Sequence, residues 1–129
     1  MLSANQQQLR QVWPFLASEP PVLLDWLPWS HTFGGSHNVN LVLVNGGSLW
    51  LDGGRPTAEL ITRTIENLAD IQPTAYFNVP AGYAALVPLL ERDPAAADLF
   101  FARLRIAFFA DAALPQALWD RIGNPCAAP

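Results

Sequence analysis

The stretch that decides the fold is SLWLDGGRPTAELITRTIENLADIQPTAYFNV, residues 48–79. It opens on a short apolar run, Ser48–Asp52, closed by Gly53 and Gly54. Thr57 then stands where a helix N-cap belongs, and Leu60, Ile61, Thr64, Ile65 and Leu68 recur at helical spacing on one face. Gln72-Pro73 stops that helix, because proline disfavours helical backbone in the residue before it. Thr74–Val79 is a second apolar run. Strand, helix and strand in so short a span predict a βαβ unit, the connection that parallel strands require.

The same alternation continues outward. Upstream, residues 2–17 form a helical pattern that Glu19-Pro20-Pro21 breaks, and Val22–Trp26 reads as a strand. Ser36 is placed to cap a helix over about 37–45, which Asn45-Gly46-Gly47 ends. Downstream, Pro80 suits a helix first turn, with Leu86, Val87, Leu89 and Leu90 as its apolar residues and Pro88 as a kink. Asp93-Pro94 supplies a cap and a first-turn proline for a helix to about Leu104. Ile106–Ala110 is the fourth strand and Pro115–Ile122 the last helix. The strands are near-continuous apolar runs, as expected where both faces are covered. The fold class is therefore α/β, a partial parallel sheet of about four strands with flanking helices.

Composition narrows the function. The chain has 129 residues, 51% hydrophobic and 14% charged, enough for one domain and one main core. Its seven basic side chains are all arginine, with no lysine, and its net charge is -4. No basic patch exists to neutralise nucleic-acid phosphates, and a P-loop is excluded because it needs a lysine. The single Cys126 excludes a disulfide framework. No apolar run approaches the ~18 residues of a membrane span, and the polar start MLSANQQQLRQ is no export signal, so a cytoplasmic protein is expected.

In an open parallel sheet, ligands bind beyond the carboxyl ends of the strands. Those ends are Trp29–Ser36, Asp52–Gly54, Asn78–Pro80 and Ala110–Ala113. The first is the most unusual, joining Trp29, His31, Phe33, Gly34 and Gly35 just before a predicted helix. Glycines there let backbone approach a ligand closely. Read alone, His31 is most simply a packed, hydrogen-bonded loop histidine. His31 and His37 fit no common metal-ligand spacing, and no catalytic residue stands out. Asp111 either caps the last helix or faces the rim.

At DWLPWSHTFGGSHNVNLVLVNGG (residues 25–47) the sequence resembles the adenylate-forming, AMP-binding acyl-CoA ligase superfamily, and within it is similar to the feruloyl-CoA synthetases. The likeness also runs through MLSANQQQLRQVWPFL, PTAYFNVPAGYAALVPLLERD and FFADAALPQALWDRI, collinear over about residues 1–122. It implies a piece of the large N-terminal AMP-binding domain, followed by an unstructured tail over 123–129. It also implies a two-step reaction in which a carboxylate attacks ATP, with Mg2+, to give an acyl-adenylate, and coenzyme A then displaces AMP. By resemblance, Trp29, His31, Phe33, Gly34, Gly35, Asn78, Val79 and Pro80 border the acyl pocket. His31 holds the position of its aromatic or histidine gate. Ala110, Asp111, Ala112 and Ala113 match the loop between acyl group and adenosine, where Asp111 replaces a usual glycine. The expected partners are an aromatic carboxylate or an acyl-CoA.

The phosphate loop, the magnesium-binding glutamate and the catalytic lysine of that superfamily have no counterpart in these residues. The expectation is thus a fragment of an aryl- or acyl-CoA ligase that is inactive alone. The alternatives are a free-standing α/β module binding hydrophobic carboxylates or acyl thioesters without turnover, and a remnant that needs a partner to supply missing strands. A sheet cut from a larger body leaves apolar edges uncovered. Concentrated solutions of the chain should therefore self-associate in sedimentation experiments, and a monodisperse monomer would count against the fragment reading.

Overall fold

In the computed structural model, residues 2–28, 30, 32–54, 57, 59–110 and 113–123 are described. The first helical pattern divides into α1 (Leu2–Val12) and α2 (Phe15–Ser18), rather than forming one helix over 2–17. Pro14 is the reason, because it has no N–H to continue the ladder. Glu19 then takes extended backbone, and the chain enters β1 (Val22–Asp25).

The four expected parallel strands are present: β1, β2 (Ser48–Leu51), β3 (Ala75–Asn78) and β4 (Ile106–Phe109). They pair as two parallel ladders, with Val22 opposite Ser48 in one and Ala75 opposite Ile106 in the other. β1 lies beside β3, and side chains help to join the ladders. At one end Thr74 N–H donates to Val22 O (2.9 Å), while Val22 N–H donates to Thr74 Oγ1 (2.9 Å). At the other end Trp26 Nε1 donates to Asn78 Oδ1 (3.2 Å). The spatial order is β2-β1-β3-β4, and the carboxyl ends share one rim.

Helices cover both faces. Leu23, Ala75 and Phe77 face a core shared with Leu16, Leu41 and Val42 of α2 and α3 (Asn40–Asn45). Leu24 and Tyr76 point the other way, into a core with α4 (Ile61–Ile71), α5 (Pro80–Arg92), α6 (Pro94–Phe101) and α7 (Gln116–Gly123). This is the period-2 alternation of strands with two covered faces. It holds for β1 and β3 only. The outer strands expose Trp50, Leu51 and Phe108, so continuous apolarity in β2 and β4 does not mean two-sided burial.

Local signals explain the remaining boundaries. Leu60 N–H donates to Thr57 Oγ1 (3.3 Å) ahead of α4, and Asp93 caps α6 by accepting from Ala96 N–H (3.2 Å). Pro80 is the first residue of α5, which runs on through Pro88. Gly46 adopts left-handed backbone (φ 65°) to end α3. The expected start near residue 37 is too late, since helical backbone already begins with a π-helical segment, Thr32–Val39, that runs straight into α3. Ser36 is therefore inside a helix and not its cap. Gly34 is there because a β-carbon would collide with the carbonyls of Leu27 and Pro28, so the glycine serves close packing and not a loop.

Gly47 joins α3 to β2 against the Pro21 carbonyl, which accepts from Ser48 N–H (2.8 Å). A β-carbon on residue 47 would run into that carbonyl, whereas one on Gly53 meets nothing within 4 Å. Gly47→Ala should thus cost about 1–3 kcal/mol in urea denaturation, and Gly53→Ala should stay within about 0.5 kcal/mol of wild type.

Candidate functional site

Two of the first three strands end on a polar side chain, and the other is followed at once by one. Asp25 ends β1 and is 3% exposed. Its Oδ1 accepts from Leu27 N–H (2.9 Å) and its Oδ2 from Asn38 Nδ2 (3.0 Å). Burial pushes the Asp25 carboxyl above the ordinary aspartate range, partly offset by the bonds from Asn38, Leu27 and Trp26. Asp52 follows β2, accepting from Gly54 N–H (2.8 Å), Asn67 Nδ2 (2.9 Å) and Thr64 Oγ1 (2.7 Å). It thereby anchors the Gly53-Gly54 turn to α4. Asn78 ends β3, where Oδ1 also accepts from Val79 N–H (2.8 Å) and Nδ2 donates to the Tyr76 hydroxyl (3.0 Å). Tyr83 donates to Phe108 O (2.9 Å), and burial raises both tyrosines well above the usual phenol range.

Beside this polar row stands an aromatic group. Trp13 lies 5.8 Å from Phe77 and 5.7 Å from Phe108 between ring centres. The His37 ring is edge-on to Phe77 at 5.0 Å and nearly parallel to Phe108 at 6.2 Å. His37 Nδ1 is 2.8 Å from Asn38 Oδ1, which links the aromatic group to Asp25. A separate apolar cavity of about 130 Å³, lined by Tyr83, Ala107, Phe109, Leu114, Trp119 and Ile122, lies between β4 and α7.

The predicted site residues divide accordingly. Asn78, Val79 and Pro80 sit where β3 turns into α5, with Asn78 and Pro80 buried and Val79 half-buried. Phe33, Gly34 and Gly35 belong to the π-helical segment and not to an open loop. Ala110 directly follows β4 and is half-buried, while Ala113 is exposed. Trp29, His31, Asp111 and Ala112 lie outside the described residues, as do 124–129 of the predicted tail, whose first residue, Gly123, instead ends α7. Asp25, Asn38, Trp13, Phe77 and Phe108 lie outside the site that the sequence predicts, and the sequence offers His37 only as a metal ligand whose spacing does not fit. The one legible signal is Asp52, which closes the apolar run SLWLD, whereas Asp25 is followed by the apolar Trp26 and Leu27 and does not mark the end of β1 in the sequence. Nothing local connects Trp13 to Phe108.

The family profile of AMP-binding enzymes matches residues 1–126. The chain belongs to the AMP-binding enzyme family. Among solved structures of this kind, it is similar to a malonyl-CoA ligase in a ternary product complex with methylmalonyl-CoA and AMP bound, at 26% identity and a TM-score of 0.78. That match covers 98% of this chain and 26% of the ligase. Two ATP-bound RpMatB-BxBclM chimeras, B3 and B1, share the fold at 24% identity and a TM-score of 0.63, covering 91% of this chain and 21% of theirs. The chain thus spans about a quarter of the length of the AMP-binding structures it matches. No curated protein matches it. No helix among the described residues is long and apolar enough to cross a membrane.

Asp25 sets a pH test. A carboxyl whose folded pKa is raised contributes stability below its unfolded pKa of about 4, and loses it as pH rises through the folded value. Asp25→Asn removes this dependence. The unfolding free energy of Asp25→Asn relative to wild type should therefore climb as pH rises from about 4 toward neutrality. A constant difference across that range in urea titrations would contradict the burial argument.

Proposed function

We propose that this chain carries the acyl-binding face of an ATP-dependent acyl-CoA ligase of the aryl-acid type, similar to the feruloyl-CoA synthetases. The observation that carries the reading is the aromatic group of Trp13, His37, Phe77 and Phe108 beside the carboxyl-end rim of a parallel sheet. Flat side chains at that place suit a planar acyl group, through offset and edge-on ring contacts. A pocket for a short dicarboxylate would instead need a cation to meet its second carboxylate. Asn78, Val79 and Pro80 would form the adjoining wall, with Trp29, His31, Phe33, Gly34 and Gly35 on the side of β1. Ala110, Asp111, Ala112 and Ala113 would lie toward the adenylate.

The residues in hand do not fit the phosphates or their metal. The sequence has no lysine, and among the described residues no three His, Cys, Asp or Glu side chains gather as a metal site. ATP, Mg2+ and coenzyme A are thus assigned to the whole family fold, and this chain supplies binding and orientation of the acyl group. Trp50 and Leu51, exposed on the outer strand β2, favour part of a larger body over a free-standing module.

Tryptophan fluorescence of the chain should be quenched saturably by ferulate and left unchanged by methylmalonate. Quenching by methylmalonate alone would overturn the aryl reading. The chain by itself should catalyse no ferulate-dependent exchange of pyrophosphate into ATP, and such exchange would overturn its assignment as a binding face only.

A further inference from the structure

Alternation along β4 sends its side chains to two different places. Ile106 and Ala110 pack against the core of α2 and α3, whereas Ala107 and Phe109 pack against the core of α4 to α7. The cavity of about 130 Å³ lies on this second side, on the opposite face of the sheet from Trp13 and Phe77. Tyr83, Phe109 and Trp119 give it three aromatic rings, and Ala107, Leu114 and Ile122 give it aliphatic surface. No charged side chain lines it, and the Tyr83 hydroxyl proton is already shared between Phe108 O (2.9 Å) and Tyr76 O (3.2 Å). Phe109 and Trp119 meet edge-on with ring centres 5.6 Å apart, so they form a corner of the cavity. Trp119 is half-exposed, which leaves that corner reachable from solvent. The helix above is fastened elsewhere: Leu118 is buried in the core, and the Arg121 guanidinium grips both carboxylate oxygens of Glu91 on α5. The gap is thus left on the β4 side of α7.

We propose that the space between β4 and α7 is a binding site for a neutral molecule of one aromatic ring. Its volume sets the size, since apolar cavities of about 150 Å³ stay dry and take up benzene. Its lining sets the charge. A carboxylate there would lose its water and find no cation, so acids of the same size are excluded. Its three rings favour an aromatic guest over an aliphatic one through edge and face contacts. A bound ring would touch β4 and α7 together and so tie the helix to the sheet. This inference does not depend on the acyl-face reading, because the sheet separates the two places.

Toluene is the probe, added to the whole chain and followed in nitrogen–proton correlation spectra. The five tryptophans give separate indole signals there, and Trp119→Phe assigns the one that matters. The Trp119 indole and the Ile122 amide should shift saturably with toluene, while the Trp13 and Trp26 indoles stay in place. No saturable shift at Trp119, or shifts of equal size at Trp13, would overturn the proposal. Benzoate matches toluene in size but carries a charge, and it should leave Trp119 unmoved. An equal response to benzoate would overturn the neutral class of ligand. Ala107→Leu puts further carbons into the cavity and should weaken toluene binding by about tenfold or more. Unchanged affinity in an Ala107→Leu protein with an otherwise wild-type spectrum would refute the site. Should that variant not fold, Leu114→Trp fills the same space from another wall, and the same two outcomes decide.

Discussion

Everything at the rim depends on the seam between β1 and β3. Each ladder has only four residues per strand, and the two ladders meet through one backbone bond, Thr74 N–H to Val22 O, and through side chains: Thr74 at one end and Trp26 with Asn78 at the other. Asn78 is the most heavily used of these. Its carbonyl oxygen takes both the Trp26 indole and the Val79 amide, and its amide reaches the Tyr76 hydroxyl. A β-carbon on Gly82 would collide with the same side chain, so the first turn of α5 is shaped around it. The residue that closes the sheet is thus the one that starts the helix behind the candidate pocket.

Burial of polar groups at this seam is tolerable because nearly every atom finds a partner. Asp25, Asn38, Thr74 and Asn78 are all almost fully buried and all hydrogen-bonded. An isolated buried carboxylate would be several kcal/mol unfavourable, whereas one that accepts from two backbone amides and a side-chain amide is far less so. The same bonds that offset burial also impose directions on the side chains. Stability and orientation are therefore two readings of one set of contacts.

Much of the fold was legible because it is written in local chemistry. The spacing of Ile61, Thr64 and Leu68, the Asp93-Pro94 cap and the Pro80 start each describe a few consecutive residues, and each matches an element. Pro14 divided a helix that its neighbours' apolar pattern joined, since periodicity is insensitive to a missing N–H. Gly34 and Gly35 misled for a related reason. Glycine reads as a loop signal, but at Gly34 the need was space against the carbonyls of residues 27 and 28. The site was less legible than the fold. Asn78 through Pro80 could be placed from strand-end logic, but Trp13, His37 and Phe108 meet only after three separate elements pack.

The seam also gives the chain a timetable. The bonds between Val22 and Thr74 and between Trp26 and Asn78 each close a span of 52 residues. The helices α4, α5 and α6 need no such closure, since they are near neighbours along the chain and already share a core. Loop-closure entropy must be met before long-range pairing is rewarded, so local clusters lead and the seam follows. The aromatic group depends on that last step, because Trp13, Phe77 and Phe108 come from both sides of it. In this chain the aromatic group beside the rim is the final thing to assemble.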